Sequence, residues 1–272
     1  MTDGGTHGSA PGGLGPGGIG PTRLGTEIVR PDEVTQGFLL GGRVRYAQPA
    51  RGLRSGIEPL LLAASVPARP GARVLEGGCG AGAGLLCLAA RVPRLDGLGI
   101  EIDPGLAALA AENARANGFA GLRFAAADLL SEAAAGPDFD HAFANPPYHR
   151  AGTTPSPDAR RERAVRAAAG GIAAWCTALA RRVRPGGSVT VSVPAGRLTE
   201  TLGALAAAGC GGRVTFPLWP RQGVAAKLVL VRGIVLSRGP DRLSAGLVLH
   251  EGAGYGAAAE AVLRGGGPLD LA

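Results

Sequence analysis

From Arg73 onward, short apolar runs alternate with longer stretches that carry their apolar residues at helical spacing. That alternation predicts an α/β fold, in which a mostly parallel sheet is covered by helices on both faces. The strand-like runs begin with Arg73, Val74 and Leu75, followed by about Gly97 to Ile102, Leu122 to Ala126, and Phe139 to Ala144. Three more follow: Ser188 to Val193, Arg213 to Leu218, and Lys227 to Val231. Helices are expected from the glycine loop to about Arg91, from Pro104 to the Asn117-Gly118 stop, over Ile172 to Val183, over Leu198 to Ala208, and near Ala257 to Leu263. The short connection Trp219 to Gly223 suits a hairpin, so one antiparallel edge strand is expected.

Ahead of the sheet, Phe38 to Tyr46 reads as a small hairpin around Gly41-Gly42. Ser55 or Gly56 is expected to cap a helix that runs to about Ser65 and is stopped by Pro67 and Pro70. The first 34 residues are dominated by Gly, Pro, Ser and Thr, a composition that buries too little surface to offset the entropy of ordering, and they are expected to be disordered. The chain thus divides into a tail over 1–34, a hairpin and helix over 35–70, and a main domain with a C-terminal extension over 71–272.

Charge adds a partner to this picture. The formal net charge is +7 with 28 Lys and Arg against 21 Asp and Glu, a balance that favours a polyanion. Lys227 is the sole lysine; every other cation is arginine. The four cysteines, Cys79, Cys87, Cys176 and Cys210, form no C-x-x-C pair and have no histidine-rich companion, which argues against zinc and for reduced thiols in a cytoplasmic protein. There is no apolar run of membrane-spanning length, and the N-terminal residues lack the apolar stretch of a signal peptide.

The chemistry concentrates where strands end. Ligands of open α/β sheets sit outside the carboxyl ends of the strands, and there the sequence puts Glu76, Glu101, Asp128 and Asn145. The loop Glu76-Gly77-Gly78-Cys79-Gly80-Ala81-Gly82 lets backbone approach a ligand closely, and Glu101 lies at the distance where a carboxylate grips ribose hydroxyls. A dinucleotide such as NAD fits that spacing. An acid directly before the glycines repels a pyrophosphate, however, and pairs instead with the ammonium of an amino-acid moiety, as in S-adenosylmethionine.

The fourth strand breaks off in Asn145-Pro146-Pro147-Tyr148, where neither proline can donate to a sheet ladder. The Asn145 amide and the Pro146 carbonyl offer acceptors, and Tyr148 offers a flat face. Together they suit a planar group with an exocyclic amine. His141, inside the strand, reads as structural.

These pieces together resemble class I S-adenosylmethionine-dependent methyltransferases that modify exocyclic amino nitrogens. Within them the chain is similar to bacterial tRNA adenine-N6 methyltransferases that act beside the anticodon of a valine tRNA. The resemblance rests on Gln48-Pro49 with Arg54 to Glu58, the glycine loop, Glu101 to Pro104, Asn145 to Tyr148, Arg184 to Gly187, Trp219 to Arg221 with Lys227, and Leu247 to Glu251. It implies a Rossmann-like, seven-stranded class I methyltransferase sheet with S-adenosyl-L-methionine as cofactor and tRNA as partner, without metal or membrane. Cofactor contacts are implied for Glu76, Gly78, Gly80, Gly82, Glu101, Ile102, Asp128, Leu129 and Asn145. Catalytic positions are implied for Asn145, Pro146, Pro147 and Tyr148, and substrate contacts for Arg51, Arg54, Tyr148, Arg150, Arg163 and Lys227. The same motif serves enzymes acting on rRNA guanine and protein glutamine. An NAD-dependent oxidoreductase or a non-catalytic nucleotide-binding protein is the more distant alternative.

Overall fold

The computed structural model describes Met1 and residues 34–50, 55–131, 138–147 and 170–271. The expected disordered tail apart from Met1 and Val34, the arginine-bearing segment 51–54 and residues 148–169 lie outside the described residues.

A hairpin opens the stretch described from Val34. Strands β1 (Val34–Leu39) and β2 (Val44–Pro49) pair antiparallel around a turn at Leu40–Gly42, and α1 (Glu58–Ser65) follows. The expected Ser55 cap does not form. The helix starts from Ile57 without a side-chain cap, and the Ser55 hydroxyl instead meets the Tyr46 hydroxyl at 2.7 Å, because the turn at residue 55 is tied back to the hairpin rather than to the helix. Leu60 to Ala64 are buried, so packing rather than capping holds α1.

The sheet is then laid down by β3 (Arg73–Gly77), β4 (Asp96–Glu101), β5 (Leu122–Ala126), β6 (Phe139–Ala144), β7 (Val183–Pro194), β8 (Cys210–Trp219) and β9 (Leu228–Val235). Helices α2 (Ala83–Arg91), α3 (Pro104–Ala116), α4 (Gly171–Ala180) and α5 (Leu198–Ala207) lie between them. The spatial order of these seven strands is β8-β9-β7-β6-β3-β4-β5, with two-residue strands β10 (Arg242–Leu243) and β11 (Leu247–Val248) added alongside β8. A small hairpin of β12 (His250–Glu251) and β13 (Gly254–Tyr255), then α6 (Ala257–Leu263), completes the described chain.

The order reverses at β3, and β3 through β7 run parallel. The antiparallel strand is β9, and its place corrects the expectation of an edge strand: it is hydrogen-bonded on both sides, to β7 and to β8. Val229, Leu230 and Val231 are at most 3 % exposed, and a strand apolar on both faces cannot sit at a wetted edge.

Candidate functional site

The parallel register brings the ends of four strands into one row. Gly77 pairs with Ile100 and with Ala144, and Glu101 pairs with Ala126. Asn145 therefore leaves the sheet one residue beyond the partner of Gly77, beside the glycine loop, and Asp128 leaves two residues beyond the end of β5. This row lies at the carboxyl edge on either side of β3, where the strand order reverses. Ligands of open α/β sheets sit at that reversal point.

The loop's shape follows from its glycines. Gly78, Gly80 and Gly82 have φ of 63°, 54° and 89°, values that side chains on L residues resist. The Gly78 amide donates to the Ile100 carbonyl at 2.8 Å, folding the loop over β4. A Cβ at Gly78 would meet Trp175 Cη2 at 2.9 Å, and one at Gly77 would meet Leu129 Cδ2 at 2.5 Å, so these two side chains form the floor of the loop. A Cβ at Gly80 would meet nothing within 4 Å, so the outer side of the loop is open.

Two buried carboxylates serve this loop. Glu101, 8 % exposed, accepts from the Gly80 amide at 2.9 Å through Oε2 and from the Asp103 amide at 3.0 Å through Oε1. Burial raises its pKa, against the opposing pull of these amides. Asp103 in turn caps α3 by accepting from Gly105 at 2.9 Å and Leu106 at 3.2 Å, a local duty that the Asp-Pro signal in the sequence carries. Glu76, 6 % exposed, accepts from the Leu85 amide in the first turn of α2 at 2.9 Å. Burial pushes its pKa up to about 8; the Leu85 amide opposes this and the nearby Glu101 adds to it. A buried carboxylate held that far from its ordinary range is stabilised in its ionised form by an adjacent cation.

Gly84 makes room for that group. A Cβ there would clash with Glu76 Oε1 and come within 2.8 Å of Phe143 Cε2, which is fully buried. Glycine to alanine within a helix ordinarily stabilises by about 1 kcal/mol. Gly84→Ala is expected instead to destabilise by about 1–3 kcal/mol through overpacking. Urea denaturation of the two proteins checks this, and a midpoint at or above that of the parent would mean that Glu76 does not occupy this space.

The remaining predicted positions divide. Asp128 is exposed, with Oδ1 accepting from the Leu130 amide at 2.9 Å, and it stands in the row. Ile102 is half-buried directly after β4. Leu129 is only 4 % exposed and packs under Gly77, so what it can offer a ligand is backbone. Asn145 is exposed, Pro146 buried and Pro147 half-buried. Lys227 is exposed just before β9, and its carbonyl accepts from the Ala195 amide at 2.9 Å, which puts it at the same edge beyond β7. Tyr148, Arg51, Arg54, Arg150 and Arg163 lie outside the described residues. His141 sits within β6, its Nδ1 2.8 Å from Ser188 Oγ, and burial pushes its pKa down to about 4.

Sequence reasoning missed Trp175 and Asn113. Neither carries a local signal, since each meets the glycine loop from a helix distant in sequence. No group of three or more His, Cys, Asp and Glu is gathered for a metal among the described residues, and no helix among them is long and apolar enough to cross a membrane.

The fold is the Rossmann-like fold of class I methyltransferases. A predicted O-methyltransferase of Agrobacterium tumefaciens superposes with a TM-score of 0.66 at 22 % identity, over 78 % of this chain and 98 % of that one. A T. thermophilus 16S rRNA N2-guanine methyltransferase, solved with AdoMet and guanosine, superposes with a TM-score of 0.53 at 20 % identity, over 74 % of this chain and 50 % of that one. At sequence level, residues 57–169 match the family model described as the methyltransferase small domain, a segment of less than half the chain. A stretch of 78 residues is 45 % identical to the release factor glutamine methyltransferase of Rhodospirillum rubrum. That stretch is 29 % of this chain and spans only 24 % of that protein's length.

Proposed function

We propose that the protein is an S-adenosylmethionine-dependent N-methyltransferase acting on the exocyclic amine of adenine in a tRNA. The observation that carries this reading is the register that sets Asn145 one residue beyond the partner of Gly77, in one row with Glu76 and Glu101. The cofactor fits the donor set on three grounds: the open outer side of Gly80, a buried acid to pair an ammonium, and a second acid for a ribose diol. Glu76 and the glycine backbone would hold the amino-acid end, Glu101 the ribose, and Asp128 the adenine amine. When bound, the cofactor supplies a sulfonium-activated methyl group, so the protein has mainly to align the nucleophile.

Alignment falls to the end of β6. The lone pair of an adenine amine is drawn into the ring, which makes it a poor nucleophile. Acceptance of its two hydrogens by the Asn145 side-chain carbonyl and the Pro146 backbone carbonyl pushes the nitrogen toward sp3 and frees that lone pair. The prolines hold the turn by removing donors from the ladder and restricting φ. Tyr148 would stack on the base, worth about 1–3 kcal/mol. The amine proton passes to solvent, and His141, within the sheet, is not needed as a base.

The net charge of +7 supports a polyanionic acceptor. The match to the glutamine methyltransferase favours a second reading, in which the same two oxygens hold a protein glutamine amide. The test is methyl transfer from labelled cofactor to total tRNA and, separately, to a release factor, with nucleoside mass spectrometry of the tRNA. N6-methyladenosine in one tRNA, formed in a reaction that weakens steeply between about 50 and 200 mM salt, supports the first reading. Methylation of the release factor alone overturns it.

A further inference from the structure

The helix after β4 ends in two asparagines one turn apart, Asn113 and Asn117, and both face the hairpin. Asn117 accepts from the Arg45 amide and donates to the Arg45 carbonyl, each at 2.8 Å. Asn113 does the same with Ala47, at 2.9 Å in both directions. Alternate residues of β2 are thus paired as a neighbouring strand would pair them, by side-chain amides on α3. The two asparagines differ in where the second amide hydrogen goes. Asn117 donates it to the Asn113 carbonyl at 2.7 Å, within its own helix, whereas Asn113 donates it to the carbonyl of Ala81, at 3.0 Å, in the middle of the glycine loop.

Asn113 is 4 % exposed. Its one acceptor and both donors are used, and they join segments otherwise far apart in sequence: the hairpin and the loop between Gly80 and Gly82. The loop is therefore held from two sides, by Glu101 at the Gly80 amide and by Asn113 at the Ala81 carbonyl. The gripped strand also leads directly to the arginine-bearing segment. Gln48, one residue beyond Ala47, accepts from the Ser55 amide at 3.1 Å.

We infer that Asn113 is a positioning residue for the cofactor loop, and that through it the docked hairpin forms part of the cofactor site, so that cofactor binding and the state of the hairpin are coupled. This rests on the methyltransferase reading and adds a residue to it. The chemistry is particular to an amide: a carboxylate at this position would set oxygen against two carbonyls, and an alkyl group would leave three buried backbone groups unpaired.

Asn117 supplies the control, since it docks the same strand without reaching the loop. Calorimetry with S-adenosylhomocysteine is expected to show Asn113→Ala binding about 5- to 100-fold more weakly, the range of typical coupling. Asn117→Ala should stay within about threefold, a shift small on that scale. With labelled cofactor, Asn113→Ala should raise KM for the cofactor far more than it lowers kcat. Equal losses in the two variants, or unchanged binding in Asn113→Ala, would overturn the inference. Should Asn113→Ala not fold, amide exchange on the unaltered chain decides: adding S-adenosylhomocysteine should slow exchange at Ala47 in the parent and no longer do so in Asn117→Ala only if the coupling runs through Asn117 instead. Slowing retained at Ala47 in Asn117→Ala supports the inference; its loss there, or no slowing in the parent, overturns it. A parent chain that binds no S-adenosylhomocysteine at all would sink the methyltransferase reading itself.

Discussion

Asn145→Ala is expected to lower the methyl-transfer rate by at least about 10²–10³-fold, the effect of removing one preorganised hydrogen-bonding group from a site where charge shifts in the transition state. Affinity for S-adenosylhomocysteine should change little. The reason is positional: Asn145 follows β6 beside the loop, while all the other groups assigned to the cofactor hang from β3, β4 and β5. It is also exposed, so truncation leaves no cavity and should cost less than about 0.5 kcal/mol of stability. Asn145→Asp tests the same point differently, because it retains the acceptor and adds a charge. Single-turnover kinetics with saturating cofactor isolates the chemical step. An Asn145→Ala protein that turns over at the parental rate would remove the residue from the reaction and leave the exocyclic-amine assignment without its main support.

The second large effect is a pH dependence of cofactor binding. Burial holds the Glu76 carboxyl at about 8, well above its ordinary 4.5. The folded chain therefore binds this proton more tightly than the unfolded chain between those values. The resulting stability is full below the ordinary carboxylate range and is lost as pH rises through about 8. A bound ammonium favours the ionised carboxylate, so below pH 8 binding must expel the proton. Affinity for S-adenosylhomocysteine should then rise with pH from about 6 to 7.5, by up to tenfold per unit. The other groups facing Glu76 do not interfere: burial pushes Tyr46 up to about 12 and raises both Cys79 and Cys87. Glu101 is also raised, so Glu76→Gln is the necessary comparison. It should bind more weakly at pH 7.5 and lose most of the slope. Calorimetry in buffers of differing ionisation enthalpy counts the released proton directly; a flat profile in the parent protein would dissociate Glu76 from the ammonium.

Much of the fold is legible in the sequence. The alternation of strand and helix periods, the glycine loop and the acids at strand ends are local patterns, and local patterns survive because backbone preference and burial act on neighbouring residues together. The hairpin at Gly41-Gly42 and the prolines after Asn145 were legible for the same reason. The Ser55 cap does not form, since a serine that suits a helix start is instead bonded to Tyr46 of β2.

Tertiary structure alone decided the rest. By itself the sequence determined the succession of elements and which residues stand where strands end, because periodicity and turn chemistry are encoded within a few residues. It did not determine that β9 is inserted between β7 and β8, that Leu129 and Trp175 floor the glycine loop, or that Asn113 joins that loop to a hairpin. Nor did it determine the raised pKa of Glu76. Each of these depends on which distant residue arrives at a contact and how much water it displaces, and neither is written in the spacing of residues along the chain.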